Sequence, residues 1–190
     1  AASDVYKRQA LKLPLLGNHQ LHNAAVALTA ATVMQQRGWH ITDEQIREGL
    51  ADVRWPGRFD VRRKDPLFII DGGHNPQCIQ ALVKNIQDYL ADRPLTILTG
   101  VLADKDYNCM YRNVEPYAKE FITVTPGNPR ALNAHDLAQY LSQFGKPVTA
   151  CDAVADGVRL AVEHAGKDGV VLCYGSLYMI GEIEAGLQRL

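Results

Sequence analysis

From Leu67 onward, apolar runs of four or five residues alternate with longer segments whose apolar positions recur every three or four. A short apolar run reads as a buried strand, and the three-to-four spacing reads as one face of a helix. The strands predicted this way are Leu67-Phe68-Ile69-Ile70, Leu95 to Val101, Phe121 to Thr125, Val148 to Cys151 and Val170 to Tyr174. Ile79, Leu82, Val83, Ile86 and Leu90 predict a helix, opened by Asn75 as N-cap and Pro76 at the first helical position. Met110, Val114 and Tyr117 predict the next, and Leu137, Leu141 and Phe144 another, closed by Gly145. Val154, Val158, Ala161 and Val162 follow, and Leu177, Ile180, Ile183, Leu187 and Leu190 form the last. Strands taking turns with helices predict an α/β fold, Rossmann-like, with a mostly parallel sheet covered by helices on both faces.

The pattern before Trp55 is different. Leu21 to Arg37 is rich in Ala and Leu, which favours a helix, and Gly38 is a natural stop. Thr42-Asp43-Glu44-Gln45 reads as a capping box for a second helix carrying Ile46 and Leu50. It ends before Trp55-Pro56-Gly57, because the residue before proline avoids the α region. A two-helix piece cannot bury its own apolar stripe. Residues 10–57 are therefore expected to be the tail and hinge of another domain, and residues 58–190 the α/β domain. Ala1 to Gln9 is polar and leads into no pattern, and is read as a non-native tail.

Composition narrows the function. The chain has 190 residues, 47% of them apolar, with Lys+Arg 20 against Asp+Glu 21. That supports a sizeable core and leaves no net field to draw nucleic acid or an anionic membrane. No apolar run approaches a membrane span, and no signal peptide is expected. Cys78, Cys109, Cys151 and Cys173 are scattered, without a CxxC pair, and are expected to be reduced thiols of a cytoplasmic protein.

Ligands of open parallel sheets bind beyond the carboxyl ends of the strands. The stretches expected there are Asp71 to Pro76, Gly100 to Asp106, Thr125 to Arg130 and Gly175-Ser176. Asp71 at a strand end could accept from a hydroxyl pair, and Gly72 and Gly73 allow close backbone approach. His74 stands near a helix start, where the dipole favours anions. On the competing reading, Asp71 and Asn75 only cap the helix and His74 is a surface residue. Arg58 could clamp a phosphate from the hinge, or be a solvated linker arginine. Asn18, His19, His22 and Asn23 cluster at the first helix. Asn23 could read an adenine edge, or the group could be capping and surface polarity. The chain has no G-x-x-x-x-G-K-[ST], no G-x-G-x-x-G and no G-x-S-x-G elbow, so nothing in it cradles a triphosphate by itself.

Taken together, Gly17-Asn18-His19-Gln20-Leu21-His22-Asn23-Ala24-Ala25, Trp55-Pro56-Gly57-Arg58-Phe59 and Asp71-Gly72-Gly73-His74-Asn75-Pro76 resemble, in order and spacing, the folylpolyglutamate synthases of the Mur ligase superfamily. Gly100 to Asp106 resembles that family's G-x-x-x-D-K-D loop, and Pro129-Arg130-Ala131 and Gly175-Ser176 have counterparts. The resemblance covers the chain from about Leu13 to its end.

It implies an ATP-dependent acid–amino-acid ligase that adds L-glutamate to folate, and in some members to dihydropteroate, through an acyl phosphate. ATP and Mg2+ are the implied cofactors, with the P-loop and the magnesium ligands upstream of these residues. The implied ATP contacts are Asn23 (adenine), Arg58 (phosphate) and Asp71 (ribose), and the implied glutamate contacts are His74 and Ser176. Asp104 and Lys105 fall on a loop facing the cleft. No catalytic or metal-binding residue is assigned in this stretch. The implied partners are small molecules only, the implied state is a monomer, and the stretch by itself should be inactive. The alternatives are another Mur-superfamily amide ligase acting on peptidoglycan precursors, or a non-catalytic module that binds a nucleotide or a partner.

Overall fold

The computed structural model describes residues 10–190; the tail expected at Ala1 to Gln9 lies outside them. The chain divides into two compact units between Trp55 and Pro56.

The first unit holds two helices, α1 (Asn18–Gln36) and α2 (Asp43–Asp52), and no strand among its described residues. Helix α1 starts at Asn18, three residues earlier than its apolar pattern suggests. The capping box at α2 is formed on both sides. Thr42 Oγ1 accepts from the Gln45 amide at 3.1 Å, and Gln45 Oε1 accepts from the Thr42 amide at 2.9 Å. Apolar residues surround α1 rather than lining one side, and Leu21 and Val26 are 61% and 70% exposed.

The second unit is built on six strands: β1 (Asp60–Lys64), β2 (Leu67–Ile70), β3 (Leu95–Thr99), β4 (Ala118–Thr123), β5 (Val148–Ala150) and β6 (Val170–Tyr174). Their order across the sheet is β1-β2-β6-β3-β4-β5. Only β1 is antiparallel, paired with β2 at one edge. The helices are α3 (Pro76–Tyr89), α4 (Tyr107–Val114), α5 (Ala134–Leu141), α6 (Val154–Ala165) and α7 (Ile180–Leu187).

The order dictates the layers. The steps from β2 to β3, β4 and β5 all move one way across the sheet, and the step from β5 to β6 moves back. Crossovers between parallel strands are right-handed, so the returning helix must lie on the opposite face from the others. Phe68, Ile70, Leu98, Ile122 and Cys173 indeed pack with Val154 and Val158 of α6 and Ile183 of α7. The alternate residues of the same strands face the other way, where Tyr111 of α4 meets Phe121 and Tyr174. Strands buried on both faces are mostly apolar, and β3 and β6 have no exposed position; the two polar residues of β3, Thr96 and Thr99, are buried with hydrogen-bond partners.

Some predicted boundaries shift. Strand β3 stops at Thr99 rather than Val101, and β4 runs from Ala118 to Thr123 rather than Phe121 to Thr125. Tyr117, Phe144 and Leu177 belong to 3-10 turns rather than α-helices. Pro116 cannot continue the helical hydrogen bonding of α4, which explains the first. The last helix ends at Leu187, before Leu190. Asn75 caps α3 as expected, its Oδ1 accepting from the Cys78 amide at 2.9 Å.

Candidate functional site

Chain direction creates a crevice at one edge of the second unit. The loops leaving β2 and β3 turn to one face, and the loop leaving β6 turns to the other, so these three strand ends diverge. The loop after β2 carries Asp71, Gly72, Gly73 and His74. It is tied to both neighbours: the Asp71 amide donates to Cys173 O at 2.8 Å, and Gly73 O accepts from the Gly175 amide at 3.1 Å.

The turn before β1 folds onto the same loop. The Gly72 amide donates to Gly57 O at 2.7 Å. Asp71 Oδ2 accepts from the Phe59 amide at 3.0 Å, and Oδ1 from the Gly73 amide at 2.7 Å. Asp71 therefore braces two loops, and Asn75 alone caps the helix. The half-buried Arg58 lies over Gly72: a Cβ added there would stand 2.6 Å from Arg58 Nη1 and closer still to Leu177. The absence of a side chain at Gly72 is what lets the guanidinium reach this position.

His74 Nδ1 is 2.8 Å from Gly72 O. A carbonyl only accepts, so Nδ1 carries the hydrogen, and in the neutral ring Nε2 is left as the acceptor. Beyond β6, Gly175 has φ 119 and Ser176 is 4% exposed. Ser176 Oγ accepts from the Tyr178 amide at 3.2 Å, which leaves its hydrogen to donate.

His74, Lys105, Arg130, Ser176, Leu177 and Tyr178 line a cleft of about 420 Å³ with Leu102 and Gly175. The loops after β3 and β4 form its far wall and are zipped together. Leu102 bridges Ala131, the Ala103 amide donates to Arg130 O at 2.9 Å, and the Leu132 amide donates to Val101 O at 2.9 Å. Arg130 Nη1 and Asp104 Oδ2 form an ion pair at 3.0 Å on this wall. A lysine, an arginine, an imidazole and a buried hydroxyl beside apolar Leu102 and Leu177 suit a small anion with an aliphatic body. A larger hollow of about 620 Å³ lies among Leu90, Pro94, Pro116, Tyr117 and Lys146. It sits where β3 and β4 begin, away from the strand ends that carry the motifs.

The structure thus brings Arg58, Asp71, His74, Lys105 and Ser176 to one edge, with Asp104 exposed on its rim. Asn23 is carried by α1 in the first unit, exposed, with its amide donating to Gln20 Oε1 at 2.9 Å. Arg130 stands in a strand-end stretch but belongs to no site motif of its own in the sequence; its partner Asp104 is what marks it. Among the described residues no three His, Cys, Asp or Glu side chains gather to hold a metal ion, and no helix is long and apolar enough to cross a membrane.

Comparison with known proteins gives the family. A family model described as "Mur ligase, glutamate ligase domain" matches residues 57–177. A folylpolyglutamate synthase of Lacticaseibacillus casei is 40% identical over 124 residues, covering 64% of this chain and 29% of that protein. A solved Mycobacterium tuberculosis folylpolyglutamate synthase complexed with ADP superposes with a TM-score of 0.76 at 29% identity, covering 94% of this chain and 41% of that one. A bifunctional folylpolyglutamate synthase/dihydrofolate synthase of Yersinia pestis, complexed with AMPPNP and Mn ion, has a TM-score of 0.77 at 27% identity, with 95% and 41% covered. The chain therefore spans under half the length of these relatives. With that glutamate ligase domain matched over well more than half of its residues, on the same strand ends that form the cleft, the chain belongs to the Mur ligase family.

Proposed function

We propose that this chain is the C-terminal part of an ATP-dependent ligase that joins L-glutamate to an acceptor of the folate or dihydropteroate class. The observation that carries the reading is the convergence of Arg58, His74, Lys105, Arg130 and Ser176 on the strand-end edge of a glutamate ligase domain. In this reaction the folate carboxylate takes the terminal phosphoryl group of ATP and releases ADP. The glutamate amine then attacks the acyl carbon, phosphate leaves with the C–O bonding pair, and the amine loses a proton.

Each residue has a part. Arg58 meets the phosphates. Lys105 and Arg130 hold the carboxylates of glutamate, and Ser176 donates to one of them. His74, with its acceptor nitrogen set by Gly72, faces the amine. Asp71 is assigned to the ribose, whose hydroxyl pair would donate to its carboxylate. Asn23 is assigned to adenine. Orientation of this kind converts an encounter of three reactants into a positioned step.

The relatives with ADP, AMPPNP and a manganese ion support a nucleotide and a divalent cation for the whole enzyme. Bound there, the cation would screen phosphate charge. The side chains of this cleft are mainly cationic and do not fit such an ion, so its ligands are assigned upstream, with the P-loop. The first unit is read as the tail of that upstream ATPase domain. The exposure of Leu21 and Val26 on an apolar helix supports this, since such a surface calls for a cover. The same reading makes the protein cytoplasmic and monomeric, with small-molecule substrates only.

The test is ADP release. The longer protein should release ADP over repeated turnovers only when both folate and L-glutamate are present. The 190 residues alone should hydrolyse ATP weakly or not at all. Robust folate- and glutamate-dependent ADP release by the 190 residues would contradict the reading.

A further inference from the structure

Thr99 closes β3 at the crevice and is fully buried. Its Oγ1 is 2.8 Å from the carbonyl oxygen of Tyr174 and 2.8 Å from the hydroxyl of Tyr111. A threonine hydroxyl has one hydrogen, and a carbonyl can only accept. Thr99 therefore donates to Tyr174, and Tyr111 donates to Thr99. This relay ends on the last carbonyl before Gly175, where β6 gives way to the cleft.

The turn that follows has little slack. A Cβ on Gly175 would stand 2.5 Å from Gly100 O and 2.9 Å from Thr99 Oγ1, so β6 threads between the end of β3 and the loop after β2. The Gly175 amide is already committed to Gly73 O, one residue from His74. One buried hydroxyl thus fixes the point from which Ser176 departs, while the neighbouring amide fixes the loop that bears His74. Neither Thr99 nor Tyr111 lines the cleft.

We propose that Thr99 is a positioning residue for the glutamate site, acting through the Tyr174 carbonyl on Gly175 and Ser176. The inference rests on the function proposed above. It adds a determinant of glutamate affinity that never touches glutamate. Valine fills the same volume without the hydroxyl. In Thr99→Val the Tyr174 carbonyl and the Tyr111 hydroxyl both lose their partner, and in Thr99→Ser both keep it.

The experiment compares wild type, Thr99→Val, Thr99→Ser and the double variant Thr99→Val/Tyr111→Phe in the longer enzyme. Thr99→Val should raise KM for L-glutamate about tenfold, with kcat and KM for ATP within about twofold, and Thr99→Ser should restore it. The double variant removes the orphaned tyrosine hydroxyl as well. It should recover part of the stability lost in Thr99→Val, the Tyr174 carbonyl still being unpaired, yet keep the raised KM. A glutamate KM that stays at the wild-type value in Thr99→Val overturns the proposal. So does a KM that returns together with stability in the double variant, because the role would then be structural support alone. A second reading uses amide hydrogen exchange at Gly175 in the 190-residue chain, which should quicken at least about tenfold in Thr99→Val. If the longer wild-type protein forms no glutamyl amide, the functional reading fails, and this exchange rate still decides the positioning: unchanged exchange overturns it. Should Thr99→Val fail to fold, the double variant carries both measurements.

Discussion

The amide of Phe59 donates to Oδ2 of Asp71 at 3.0 Å, closing a loop of twelve residues between the turn before β1 and the end of β2. Phe59 needs such a clamp. Its φ is 48, in the left-handed region, which costs a residue with a Cβ about 1–2 kcal/mol. Its ring is 2% exposed and lies 5.8 Å from Tyr89, so packing and the carboxylate together hold the turn that presents Arg58.

Removing the clamp should therefore cost stability before it costs chemistry. Asp71→Ala deletes the acceptor for both the Phe59 and Gly73 amides, and should lower the stability of the 190-residue chain by about 2–3 kcal/mol. Asp71→Asn keeps one acceptor and should lose about half as much. Urea denaturation midpoints measure both. Equal midpoints for wild type and Asp71→Ala would show that the carboxylate is not bracing the turn.

Arg58 should behave in the opposite way. The bond from its guanidinium to Gly57 O is long, 3.3 Å, and contributes little to the fold. Arg58→Ala should change stability by less than about 0.5 kcal/mol while lowering turnover of the longer enzyme at least about tenfold. Gly72→Ala would push the guanidinium aside without deleting it, but its methyl also meets Leu177 and presses on Gly57 O, so it should lower both turnover and stability. A variant at Arg58 that loses stability and keeps its rate would refute the phosphate role.

How much of this was readable from the residues follows from which forces are local. The capping box at Thr42 and the cap at Asn75 depend on side chains within three residues, and both form as the sequence predicts. The apolar runs mark five of the six strands, because β2, β3 and β6 are buried along their whole length or nearly so and β4 is apolar at Phe121-Ile122. Strand β1 is harder to see: it is an exposed edge with the pattern Asp60-Val61-Arg62-Arg63-Lys64, held by pairing to β2 rather than by burial. The candidate site divides along the same line. His74 and Ser176 announce themselves by standing at strand ends. The brace from Asp71 to Phe59, and the relay from Tyr111 through Thr99 to Tyr174, join residues 12 and 75 positions apart in the chain. Only the order of strands brings these partners together. Arg130 was legible as a strand-end residue, but its place on the cleft wall depends on the bridge between Leu102 and Ala131.

Arg130 separates binding from stability more sharply than any other residue of the cleft. It is paired with Asp104, but the two side chains are 55% and 49% exposed, and exposed pairs contribute about 0–1 kcal/mol. Arg130→Ala should leave the urea midpoint of the chain nearly unchanged. If the guanidinium holds a glutamate carboxylate, the same change should raise KM for L-glutamate in the longer enzyme by about tenfold or more. A glutamate KM unaffected by Arg130→Ala would remove this residue from the site.

The far edge of the sheet supplies a pH-dependent element that has nothing to do with the cleft. Glu120 on β4 is 7% exposed, and burial on its own would raise its pKa. The net displacement is nevertheless downward. Nδ1 of His164 lies 2.7 Å from Oε2, Thr96 donates to Oε1 at 2.9 Å, and Lys119 adds a positive charge, and together they outweigh the loss of solvent. A carboxyl whose folded pKa lies below its unfolded value binds fewer protons in the folded state. It adds stability that is fully present above the ordinary glutamate range and fades as the pH falls through the depressed value. Denaturation midpoints taken from about pH 7 down to about pH 3 should therefore show an acid limb to which Glu120 contributes. Glu120→Gln keeps the shape and the acceptor for Thr96 but cannot ionise. It should be less stable than wild type at neutral pH, and the gap should close toward the acid end. A constant gap across the whole range would mean that the Glu120 charge adds nothing to folding and that only its packing matters.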